Sequence, residues 1–201
     1  MQETKEKKSP LWARLCFSDF VLSLTRAKKI AFTALGMAIA VVVNAFLSVK
    51  LGGVEYSLVI FTSVLVGVMF GALPGFVACF FGDLIGFLLH PMGEYSPFIG
   101  ISTGLMAVFG AWLICRSIWA FKGAWLVNLS LTCIAIFVVC TAGINNWYLN
   151  SVWFKSMTFF ECLAARLIVQ GQLWNSLANY ALLFIVLPIL VKIKPLKIKI
   201  A

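Results

Sequence analysis

Between Lys29 and Lys50 the chain runs for 20 residues, from Ile30 to Val49, without a single charge. At about 1.5 Å of rise per residue, a helix of that length matches a hydrocarbon core of about 30 Å. Further apolar spans follow at 57–71, 73–89, 97–115, 123–143 and 163–191. A chain built this way has few options, because backbone groups inside a bilayer must all be bonded internally. The spacing therefore predicts an all-α membrane protein, a bundle of six transmembrane helices. The second and third spans are separated only by Gly71-Ala72-Leu73-Pro74-Gly75, which calls for a tight helical hairpin. The sixth is over-long, with Gly171 inside it and Pro188 near its end, so a tilt or kink is expected there.

Composition supports this class. Of the 201 residues, 62% are hydrophobic and only 11% charged, whereas about a quarter are charged in soluble domains. The net charge of +9 does not imply nucleic acid, because the basic residues sit at the chain ends and in the joints between spans. There they set topology and meet lipid headgroups. With six spans both ends lie on one side. All of the 16 basic residues except Lys50, Lys155 and Arg166 fall on that side, which the positive-inside rule makes cytoplasmic. Residues 1–25 read as a cytoplasmic or interfacial segment with Trp12, Phe17, Phe20, Val21 and Leu24 as its apolar face. Residues 26–193 form the six-helix domain, and 194–201 a basic cytoplasmic tail. The N-terminus lacks a short apolar core with a small-residue cleavage site, so no cleaved signal peptide is expected.

Lipid tails give helices no hydrophobic reason to associate, so small residues mark where backbones approach closely. The first span carries Ala34-xxx-Ala38 and, on a neighbouring face, Gly36-xxx-Ala40. The second and third carry Gly67-xxx-Gly71-xxx-Gly75, and the fourth Gly100-xxx-Gly104. The alanine pair on the first span is a candidate surface for docking another membrane protein.

Two ionisable residues interrupt the apolar spans, Asp83 in the third and Arg166 in the sixth. A charge at the bilayer centre costs about 2.5–3.5 kcal/mol on insertion scales, so such residues pair, face a cavity or work. Asp83 either bonds Ser, Thr or backbone groups in the bundle or acts functionally. Arg166 either binds a carboxylate bidentately or snorkels to the interface. The segments on the outer side gather Glu55, Tyr56, Tyr95, Asn145, Asn146 and Trp147, with Gln170, Gln172, Trp174 and Asn175 beyond them. Aromatic rings there anchor a helix in the interface. Amides do not, and amides grouped with Arg166 suggest a pocket for a flat, hydrogen-bonding small molecule. His90, at a helix end before Pro91, reads as a cap or loop residue and not a ligand. The six cysteines form no CxxC pair or metal spacing, so neither a metal nor a cofactor is expected. Phosphate-loop, HExxH and GxSxG motifs are absent from the sequence. A chain with one midplane acid and no nucleotide motif looks like a binding subunit powered by a partner. The competing classes are an intramembrane enzyme or a small channel using Asp83.

The residues also resemble a family. TRAKKIAFTALGMAIAVVVNAFLSV, VGVMFGALPGFVACFFGDLIGFLLHPMGEYSPF and INNWYLNSVWF…AARLIVQ are similar to motifs of the S components of energy-coupling factor (ECF) vitamin transporters, especially the folate-type branch. The resemblance implies a six-helix binding subunit, not an enzyme, in the bacterial plasma membrane. It would capture a vitamin at the outer face and dock on a transmembrane coupling subunit carrying two cytoplasmic ATPases. Under it, Ala34 and Ala38 become docking residues. Glu55, Tyr56 and Trp147 become lid or pocket, and Arg166 a carboxylate partner. After Arg166 the sequence departs from the folate pattern, with Gln170, Gln172, Trp174 and Asn175 in place of a more aliphatic and basic run. Asn145-Asn146 stands for that pattern's Asn-Thr. Folate is the expected vitamin, with pantothenate and cobalamin as alternatives.

Overall fold

The computed structural model describes residues 11–51, 54–91, 95–115 and 125–191. Lys5, Lys7, Lys8, Arg116, Lys122 and the basic tail lie outside these residues, as does Glu94. Two short helices, α1 (Leu11–Cys16) and α2 (Asp19–Leu22), precede α3 (Arg26–Phe46). An antiparallel hairpin follows, β1 (Val49–Leu51) and β2 (Val54–Tyr56), in the register Val49↔Tyr56, Lys50↔Glu55, Leu51↔Val54. Then come α4 (Val59–Phe70), α5 (Ala72–Leu89), α6 (Pro97–Cys115) and α7 (Trp125–Val152). Last are α8 (Phe159–Ala164, continuing as a π-helical turn over Ala165–Val169) and α9 (Gln172–Val191). Helices α3, α5, α6, α7 and α9 are long and apolar enough to cross a membrane, and α4 is a shorter apolar helix. The six-helix membrane bundle is therefore the fold, and the chain is a multi-pass membrane protein.

Two features differ from the sequence expectation. The fifth pass continues well beyond residue 143, because a π-helical stretch over Ile136–Asn145 carries it without interruption into Asn146–Val152. The sixth span is not one kinked helix. It is broken at Gly171, whose φ of 66° is the left-handed conformation that ends a helix and that glycine adopts without a Cβ penalty. Arg166 consequently belongs to α8 and not to the long last helix.

α4 sits at the centre. Ile60, Val64 and Val68 pack with Met106, Ile114, Leu129, Ile136, Leu183 and Leu187 from α6, α7 and α9. From its other side, Val66 and Phe70 pack with Val21, Ala78, Cys79 and Ala107. The close approaches fall at small residues. Gly67 lies directly on the backbone of Ala107 in α6, and Gly75 on the Cα of Gly67. A Cβ at Gly82 would sit 2.6 Å from that of Ala40, and one at Gly86 2.9 Å from that of Asn44, so these two glycines admit α3 against α5. The other face of α3 bears exposed Ile30, Leu35, Ile39, Val42 and Phe46, together with exposed Ala34 and Ala38.

The ends of α4 are closed by side chains from elsewhere. At Gly71 (φ 98°) the chain reverses into α5, leaving carbonyls of the last turn of α4 without helical partners. The Ser18 hydroxyl donates to the Met69 carbonyl at 2.7 Å, and the Ser18 N–H to that of Phe70 at 3.2 Å. The same hydroxyl caps α2 by accepting from the Val21 N–H. Trp112 Nε1 donates to the Leu15 carbonyl at 3.0 Å, so α1 and α2 are bonded to this end of the bundle.

A methyl group at Gly67 has nowhere to go, since backbone and not a flexible side chain faces it. Gly67→Ala should therefore separate α4 from α6 and cost about 1–3 kcal/mol, as overpacking does. Thermal unfolding of the detergent-purified variant, followed by circular dichroism, would read this as a lowered midpoint.

Candidate functional site

At the hairpin end of the bundle a cavity of about 280 Å³ opens above the first turn of α4. Every pass contributes to its wall: Asn44 from α3, Ser57 and Ile60 around the start of α4, Asp83 from α5, Thr103 from α6, Asn145 from α7, Arg166 from α8, and Gln172 and Asn175 from α9. A recess of about 10 Å³ shares Asn44, Val59, Asp83 and Thr103 with it and adds Thr62, Ser63 and Cys79.

The wall is preorganised by amides. The first N–H groups of a helix lack intrahelical partners, and two asparagines one turn apart on α9 bond one of them in α4 and the N–H of Ser57 just before the helix. Asn175 Oδ1 accepts from the Ser57 N–H at 3.0 Å, and Asn179 Oδ1 accepts from the Phe61 N–H at 3.0 Å. Asn179 Nδ2 donates to the Ser57 carbonyl at 2.8 Å and to Asn175 Oδ1 at 3.1 Å. This clasp fixes the exit of the hairpin and the entry of α4 against α9.

Asp83 and Arg166 each have partners of their own. Asn44 Nδ2 donates to Asp83 Oδ1 at 2.7 Å across the α3–α5 contact that Gly86 permits. Arg166 is 6% exposed, held there because α8 turns back at Gly171. It donates over long distances, 3.4 Å to the Thr141 carbonyl and 3.5 Å to Asn146 Oδ1. Asn146 is itself fully buried and donates from Nδ2 to the Phe159 carbonyl at 3.1 Å, so it steadies the guanidinium from behind α8. Asn145 Oδ1, buried in the cavity wall, has no hydrogen-bond partner among the described residues. The Tyr95 hydroxyl, beside Gly100 of α6, is likewise without a partner among the described residues. Burial first, and then the charge of Asp83, push its phenol above the ordinary value. Its ring packs against Phe87 at 5.3 Å.

Of the residues singled out in the sequence, Asp83, Asn145, Arg166, Gln172 and Asn175 line the cavity, and Asn146 bonds Arg166 beside it. Trp147 is 53% exposed and meets Phe98 edge-on at 5.6 Å, while Trp174 is 61% exposed on α9. Gln170 is exposed at the end of α8, and Tyr56 is exposed at the end of β2. Of Glu55 only the backbone pairing with Lys50 is described. None of Trp147, Gln170, Trp174 and Tyr56 is among the cavity's lining residues. Asn44 lines it and was not singled out. A lone amide in the first span was the available signal, but its meaning depends on Asp83 lying opposite.

Residues 25–195 match the sequence profile of the family described as ECF-type riboflavin transporter, S component. Among solved structures, the crystal structure of FolT bound with folic acid superposes with a TM-score of 0.60. It is 19% identical in sequence, and the match covers 78% of this chain and 91% of that one. This is a likeness of fold. No curated protein matches.

Asn179→Leu keeps the volume but strips the Phe61 N–H and the Ser57 carbonyl of their partners. It should cost about 1–3 kcal/mol for each group left unsatisfied, measured by denaturant titration of the purified protein in detergent. An unchanged midpoint would mean that the clasp is dispensable.

Proposed function

We propose a vitamin-capturing role from one premise: the chain belongs to the ECF-type riboflavin transporter S component family. In this reading it is the substrate-specific binding subunit of an ATP-driven importer, and the vitamin it takes is folate. The observation that carries the reading is the cavity itself, walled by all six passes and furnished with Arg166 and the open acceptor of Asn145. Among the described residues Arg166 makes two long bonds, so its fork has N–H groups to spare for a carboxylate. Folate and pantothenate carry a carboxylate, and riboflavin does not. Folic acid is also the molecule held by FolT, which shares the fold.

Orientation follows from charge. With both termini cytoplasmic in a bacterial plasma membrane, the hairpin end and its cavity face outward, where the vitamin arrives. The exposed Ala34 and Ala38 on α3 offer a flat, close-approach surface for a transmembrane coupling subunit, which would bring the two ATPases.

Titration of the purified chain with folic acid, pantothenate and riboflavin, followed by calorimetry, tests capture. One-to-one folic acid binding is expected, with uptake into liposomes only when an ATPase-bearing coupling complex is co-reconstituted. Absence of binding to any vitamin, or transport by the chain alone, would overturn the role. Ala34→Trp or Ala38→Trp should abolish uptake while leaving calorimetric affinity within about 2-fold, since neither side chain is buried in the bundle.

A further inference from the structure

The geometry points to Asp83 as the residue that selects the vitamin, by accepting a pair of adjacent N–H donors on a flat heterocycle whose acidic tail meets Arg166. The inference rests on the vitamin-capture reading and names the ring chemistry that reading leaves open.

A carboxylate and a guanidinium line one cavity, and among the described residues each is bonded to other groups. Asp83 takes one amide N–H from Asn44, and Arg166 gives to Thr141 and Asn146. An ionised carboxylate has roughly four acceptor sites and a guanidinium five donors, so among the described residues most of the capacity of both is unspent, in a setting where burial is costly. The other groups lining the recess around Asp83 are uncharged: Thr62, Ser63, Cys79 and Thr103, with apolar Ala40, Val43 and Val59. A ligand that completes both groups must therefore offer donors at one end and an anion at the other.

The donor end can be specified further. A carboxylate only accepts, and its two oxygens suit two parallel N–H bonds. The 2-amino-4-oxopyrimidine edge of a pterin presents that pair, its ring N3–H beside the exocyclic amine. The pyrimidine edge of a flavin presents one N–H flanked by two carbonyl oxygens, which a carboxylate repels. Asn145 Oδ1 provides another acceptor without a partner in the same wall, consistent with a donor-rich ligand. The pocket thus suits a pterin carrying a carboxylate tail and disfavours a flavin.

The test uses the full-length purified chain and calorimetry with folic acid, its 2-desamino analogue and riboflavin. Wild type should bind folic acid at least about 100-fold more tightly than either of the others, as expected where a buried acceptor loses its donor. Asp83→Asn, which offers both a donor and an acceptor, should bring the three affinities to within about 10-fold of one another. Equal wild-type affinity for folic acid and the desamino analogue would overturn the inference, and so would a preference for riboflavin. Unchanged selectivity in Asp83→Asn would overturn it too, while leaving vitamin capture intact. Failure of wild type to bind any of these three, or pantothenate, would instead remove the capture reading. If the variant does not fold, the wild-type comparison between folic acid and its desamino analogue still decides.

Discussion

Inside hydrocarbon a peptide group without a partner costs several kcal/mol, and the helix on which this bundle is built meets that constraint at both ends. α4 has 12 residues and so spans only about 18 Å, well short of a hydrocarbon core of about 30 Å. Its unpaired ends consequently lie at depths where water cannot be relied on. Ser18 closes the carbonyl end and the Asn175–Asn179 clasp closes the N–H end. The length that α4 lacks is where the cavity lies, above Ser57, Val59 and Ile60. The shortness of this helix, the amides that cap it and the cavity are one arrangement.

Around that helix, packing relies on the absence of side chains. Gly67 and Gly75 let α4, α5 and α6 meet at backbone distance, and Gly82 and Gly86 bring α3 onto α5. The second contact also has a chemical result, because it sets Asn44 beside Asp83. Close packing and site construction are here the same event. On the lipid side, α3 keeps large apolar groups and the two exposed alanines, a surface that lipid can cover or a partner can replace.

The sequence made the passes legible because a charge-free run of 20 residues has almost no other stable form, and Arg166 was conspicuous as a cation in an apolar span. The position of Arg166 was harder to foresee. Gly171 read as a kink, and only its left-handed φ shows that the helix ends and a new one begins, leaving Arg166 on a short separate element. The aromatic residues drew attention for their type, yet Trp147 and Trp174 are largely exposed. The lining draws on the amides Asn145, Gln172 and Asn175, which the sequence did bring out, and on Asn44, which it did not, 39 positions away from its partner Asp83. Periodicity reports which face of a helix is apolar. It does not report which faces meet across a bundle, and the polar lining here is made by such meetings.

The π-helical turns carry a different kind of consequence. They occur at Gly110–Cys115, Ile136–Asn145 and Ala165–Val169, and the latter two hold Asn145 and Arg166. A π turn is an α turn that has absorbed one extra residue, a form often met at functional sites. Two of the passes that line the cavity therefore already tolerate a shift of helical phase, while α4 and its clasp hold the frame. Single-residue insertions or deletions in these turns can rotate a different side chain toward the ligand without reworking the bundle. That gives a scaffold of this kind a short mutational route from one cargo to another.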